Sequence, residues 1–156
     1  MFRAHGGAKA VPDGDKVLNG ARAQQGVGAS DVSVTFEHAD FPVAEARHFA
    51  LRFLAGLPAS GPPVPPRTAE AVQLVVSELV TNAIKYGSPP VELSLAVAQG
   101  VLSITVRDRE PVMPAQRAAD PTRVGQHGLE IVAALSLDID IQGEPGGKRV
   151  TARIAL

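Results

Sequence analysis

A chain of 156 residues suits one domain with a sizeable core, and 45% hydrophobic with 20% charged residues is ordinary for a globular protein. A formal net charge of −1 supplies no basic footprint and argues against nucleic-acid binding. The lack of cysteine excludes disulfides and thiolate metal sites; with neither a membrane-length apolar run nor a signal-peptide core, the expected location is the cytoplasm, away from any membrane.

Residues 1–30, rich in Gly, Ala, Gln and Asp without a sustained period, read as a disordered tail ahead of a domain spanning 31–156. DVSVTFE places Val32, Val34 and Phe36 on one face, the pattern of a half-buried strand. Asp40 is positioned to N-cap a helix whose Val43, Ala46, Phe49, Ala50 and Phe53 fall at helical spacing, and Gly56 ends it. The connector LPASGPPVPPR holds five prolines and cannot be helix interior. Thr68 then reads as the cap of a second helix, with an apolar stripe of Val72, Val75, Val76, Leu79, Val80, Ala83 and Ile84 that Gly87 stops. VELSLAV and VLSITVRD are strands joined by a Gln99-Gly100 hairpin turn. Residues 109–123 form a polar, proline-containing loop long enough to suspect a function. Gly125-x-x-Gly128 opens a short helix, LEIVAALS, before a strand near 137–141, a turn EPGG and a last strand, RVTARIAL. This order predicts an α+β fold: a two-layer sandwich with helices on one face of a mixed, mainly antiparallel sheet.

The helix Ser77–Gly87 is apolar, yet it carries Glu78 and Asn82, four residues apart and therefore on one face. Burying such groups is costly unless they have a task. A carboxylate beside a carboxamide suits metal-assisted phosphoryl chemistry, because the amide oxygen is a hard ligand for Mg²⁺ and the Glu can take a proton. Glycines at a helix start aim backbone N–H groups at phosphates. Asp108, at a strand end, can accept a hydrogen bond from an exocyclic amine. Each group also has an ordinary explanation. Glu78 can sit at a solvent edge, Asn82 can back-bond the helix, and Asp108 can close a hairpin. The Gly125/Gly128 pair can be a plain turn, Lys148 a solvated strand-edge charge, and His127 merely exposed. Only the order and spacing of the whole set outweigh those explanations.

That order resembles the GHKL ATP-binding family shared by gyrase, the MutL repair protein, heat-shock chaperones and histidine kinases. Within it, the chain resembles the small bacterial anti-sigma-factor serine/threonine kinases. ELVTNAIKYG resembles the N box, VRDREP the first glycine-box region, GQHGLEIV the second and GGKRVT the last. The resemblance covers residues 31–156 and implies a Bergerat-type sandwich that binds ATP with Mg²⁺. It implies Glu78 as general base, Asn82 as the Mg²⁺ ligand and Asp108 at the adenine amino group. Gly125 and Gly128 would lie at the phosphates under a lid of residues 109–124, with Lys85, Leu129 and Lys148 completing the nucleotide contacts. The implied partners are a STAS-type anti-anti-sigma factor as phosphate acceptor, a sigma factor, and a second copy in a homodimer. A histidine-kinase reading is disfavoured, because no dimerisation helix pair with a phospho-accepting His precedes the domain. A non-catalytic nucleotide- or protein-binding module of the same fold is the alternative.

Two departures bear on that choice. The family's first box reads Asp-x-Gly-x-Gly, whereas Asp108 is followed by Arg109, Glu110 and Pro111. The last box commonly has Thr where this chain has Lys148, and Thr151 lies three residues beyond. Together with a short lid, these departures favour nucleotide binding over efficient turnover.

Overall fold

The computed structural model describes residues 17–18, 21–25, 31–38, 40–111 and 127–156. Its elements are β1 (Val17–Leu18), β2 (Ala21–Gln25), β3 (Asp31–Phe36), α1 (Val43–Ala55), α2 (Pro66–Tyr86), β4 (Val91–Ala98), β5 (Val101–Asp108), α3 (His127–Leu135), β6 (Asp138–Glu144) and β7 (Gly147–Ala155). The strands form one sheet in the order β1-β2-β3-β4-β5-β7-β6, and every described pairing is antiparallel.

Period-two alternation sorts the sheet into an apolar and a polar face. Val34 and Phe36, Val91, Leu93 and Leu95, Leu102, Ile104 and Val106, and Val150, Ala152 and Ile154 all turn inward. Val72, Val75, Val76, Leu79, Val80 and Ala83 of α2 are buried with them in one core. α2 is the middle helix, flanked by α1 and α3. The result is the expected two-layer α+β sandwich. The outer face is polar: Thr105 and Thr151 share a hydrogen bond at 3.0 Å, and Glu92, Arg107, Glu144 and Arg149 form a chain of ion pairs.

The helix starts differ from the sequence expectation. α1 begins at Val43 after an extended Pro42 with no side-chain cap, which leaves Asp40 outside it. Phe41 fixes the entry instead by stacking on Phe36, with ring centroids 3.8 Å apart. α2 begins at Pro66, with Pro65 as an extended N-cap and no side-chain cap, so Thr68 lies inside the first turn. Proline suits the first helical position because its missing N–H would have had no partner there. The helix ends agree with expectation, at Gly56 and Gly87. The β4–β5 turn also holds, with positive φ at Gln99 (53°) and Gly100 (74°), as a tight primed hairpin turn requires.

At the N-terminal side, the sheet reaches into the stretch expected to be a disordered tail. β2 pairs with β3 from Ala21↔Phe36 to Gln25↔Val32. The only alternation in ARAQQ is between two alanines and their polar neighbours, too weak an apolar signal to mark a strand in the sequence. Among the described residues, no helix is long and apolar enough to cross a membrane.

Candidate functional site

α2 turns its apolar stripe to the sheet, which leaves Glu78 and Asn82 half-buried on a flank of the helix. The start of α3 backs onto that flank. A Cβ built on Gly128 would lie 2.7 Å from Glu78 Oε2 and 3.4 Å and 3.5 Å from Asn82 Oδ1 and Nδ2. Gly128 therefore lets the backbone of the first turn of α3 approach both polar groups, where any side chain would push Glu78 aside. Amides in a first helical turn lack intrahelical acceptors and carry the positive end of the helix dipole. A carboxylate, a carboxamide and the N–H groups of a helix start thus converge between two helices, a donor and acceptor set suited to a phosphate chain and a proton transfer.

The second cluster sits where the end of β5 lies beside the start of β7. Asp108 and Lys148 are register partners; they form an ion pair at 3.0 Å, with side chains only 3% and 5% exposed respectively. The backbone N–H of Glu110 also donates to Asp108 Oδ1, at 2.8 Å, and Lys148 Nζ donates to the Glu110 carbonyl at 3.4 Å. Gly87 closes the other side: a Cβ there would meet the Ala83 carbonyl oxygen and come within 2.7 Å of Asp108 Oδ2. The ordinary explanation of Lys148 as a solvated edge charge does not hold, since it is buried against a carboxylate. Thr151 cannot stand in for the family's threonine, because it lies on the outer face against Thr105.

Lys85 is exposed in the last turn of α2. Leu129 is half-buried and packs against the core, which anchors α3 beneath Gly128. His127 is exposed and lies 3.3 Å from Glu130. Gly125 and residues 112–124 of the expected lid lie outside the described residues. Sequence reasoning missed the part Gly87 plays as the seat of Asp108, since a helix-stopping glycine gives no sign of what packs on it. It also missed the bond from Arg47 Nη1 to Ser77 Oγ, 3.3 Å long, which ties α1 to α2 one residue before Glu78.

Among the described residues, no cluster of three or more acidic, His or Cys side chains could hold a metal alone. A divalent ion at Asn82 would thus draw its other ligands from phosphates and water, as Mg²⁺ commonly does. A cavity of about 350 Å³ opens near the end of β5, lined by Thr35, Glu92, Arg107, Asp108, Arg109 and Glu144 among others. Glu92, Arg107 and Glu144 of its walls pair with one another, and neither Glu78 nor Asn82 lines it.

A family profile described as the histidine kinase-like ATPase domain matches residues 41–154. No curated protein matches the chain. Among solved structures, the chain is similar to the RsbU and RsbW domains of Rv1364c from Mycobacterium tuberculosis. That match has 20% identity and a TM-score of 0.59, over 81% of this chain and 32% of that one. The chain is also similar to the blue-light activated histidine kinase of Erythrobacter litoralis EL346, with 24% identity and a TM-score of 0.50, over 73% of this chain and 40% of that one. It spans less than half the length of either structure, and at these identities the likeness is one of fold.

Proposed function

As the chain belongs to the histidine kinase-like ATPase domain family, we propose that it binds ATP and acts as a serine/threonine protein kinase of the anti-sigma type. The observation that carries this reading is the convergence of Glu78, Asn82 and Gly128 between α2 and α3. The nucleotide's phosphates lie against the first turn of α3. Its base lies toward Asp108 and Lys148, and Lys85 stands at the open side. Asn82 would hold Mg²⁺ through its amide oxygen, and the ion would supply charge neutralisation to the phosphates. Glu78 orients the hydroxyl of a serine on the acceptor protein and takes its proton. As the hydroxyl oxygen bonds to the γ-phosphorus, the bond from that phosphorus to the β–γ bridging oxygen breaks and ADP departs. The acceptor is a STAS-type anti-anti-sigma factor and the regulated partner a sigma factor, with a homodimer as the working unit in the cytoplasm. The motif order on the sequence supports this assignment of partners.

One observation favours a second reading, a binding module that does not turn ATP over. Asp108 is committed to Lys148 and Glu110, so the base end of the site departs from the family pattern. Single-turnover transfer of labelled phosphate from ATP to STAS-type proteins separates the two. For a kinase, Glu78→Gln lowers transfer by about 10²-fold or more with ATP affinity nearly unchanged, the usual worth of a general base. A wild-type protein that binds ATP and phosphorylates no candidate leaves the binding module standing.

A further inference from the structure

A buried charge is tolerated when it is paired and hydrogen-bonded, and Asp108 is held on one oxygen by both an ammonium and a backbone N–H. Oδ1 accepts from Lys148 Nζ at 3.0 Å and from the Glu110 N–H at 2.8 Å. Oδ2 faces the backbone of Gly87, where even a Cβ would sit 2.7 Å away. Gly87 also caps the helix that carries Glu78 and Asn82. An α-helix rises about 1.5 Å per residue, so about 13 Å separate Glu78 from Gly87 along α2. That is the scale of a nucleoside triphosphate laid from its terminal phosphate to its base.

We propose that Lys148 sets the base selectivity of the nucleotide site by masking Asp108, so that the protein discriminates poorly between adenine and guanine and holds triphosphates chiefly by their phosphates. This rests on the reading of Glu78, Asn82 and Gly128 as the phosphate end of the site. A bare carboxylate at the base end accepts from the exocyclic amine of adenine and repels the O6 of guanine. Polar matching of that kind can separate substrates by several orders of magnitude, about 10⁴ or more. An ammonium hydrogen-bonded to the same carboxylate cancels the preference in two ways. It neutralises the charge that repels O6, and it offers O6 a donor as readily as the carboxylate offers the amine an acceptor. The pair also ties the end of β5 and the Glu110 carbonyl to β7, so the test has to separate selectivity from stability.

The test is calorimetric titration of the full chain with ATP and GTP, each with Mg²⁺, alongside thermal melting of every variant. The wild type is expected to bind both within about 5-fold of each other, and Lys148→Thr to tighten ATP alone by about 10-fold, because Asp108 is freed. Should Lys148→Thr fail to fold, Asp108→Asn/Lys148→Met removes both charges and should retain the wild-type indifference. A wild type that prefers ATP by more than about 100-fold overturns the inference and leaves the phosphate site intact. So does a folded Lys148→Thr with an unchanged ratio, or a neutral pair variant that loses ATP affinity but keeps GTP. Binding of neither triphosphate to the wild type overturns the masking and the site reading together.

Discussion

Gly128 and Gly87 both admit no side chain, but what each would strike differs. At Gly128 the obstacle is Glu78 Oε2, 2.7 Å away at the end of a flexible side chain. Gly128→Ala therefore displaces the carboxylate and spares the packing. It should keep the wild-type melting temperature while ATP affinity or transfer falls by about 10-fold or more, as expected when a group is lost from productive geometry. At Gly87 the obstacles are the Ala83 carbonyl and the buried Asp108 carboxyl, with Cγ 2.6 Å away. Neither can move cheaply, so Gly87→Ala should cost about 1–3 kcal/mol in denaturant unfolding, the range for overpacking. Equal stability losses in the two variants would contradict this division. The same scale shows what a sequence can display. Glu78 and Asn82 were legible because their relation is local, one helical turn on a single face. The burial of Lys148 was not, because its partner Asp108 lies 40 residues away and the pair exists only once β5 and β7 run side by side.

At the scale of elements, the apolar periods located the helices and most of the strands, and the glycines located the helix ends. The helix starts were misjudged where proline competes with a side-chain cap. Asp40 and Thr68 have the right chemistry for an N-cap, yet Pro42 and Pro65 hold the extended backbone that precedes each helix. Neither helix has a side-chain cap hydrogen bond at its N-cap. Thr68→Ala should accordingly change stability by less than about 0.5 kcal/mol, where loss of a working cap costs about 1 kcal/mol. Chemical denaturation resolves the difference, and a loss near 1 kcal/mol or more would restore Thr68 to the cap.

For the whole molecule, the two-layer sandwich follows from one face of an antiparallel sheet being apolar and three amphipathic helices covering it. The described core begins at Val32, and β1 and β2 continue the sheet beyond β3 by antiparallel pairing. A chain beginning at Ser30 should therefore keep a cooperative melt and its nucleotide affinity, with more self-association because β3 becomes an open edge. Loss of the cooperative transition would show that the N-terminal strands belong to the folding unit.

If α2 and α3 frame a phosphate and Mg²⁺ site, Asn82 is the side chain on which metal binding there depends. Calorimetry with ATP, with and without Mg²⁺, on wild type and Asn82→Ala tests it most directly. Wild type should bind more tightly with Mg²⁺ than without. A folded Asn82→Ala should lose that Mg²⁺-dependent gain, by about 10-fold or more, while its metal-free binding stays close to wild type. An Asn82→Ala protein that keeps the full Mg²⁺ response, or a wild type that binds no ATP under either condition, would contradict the account.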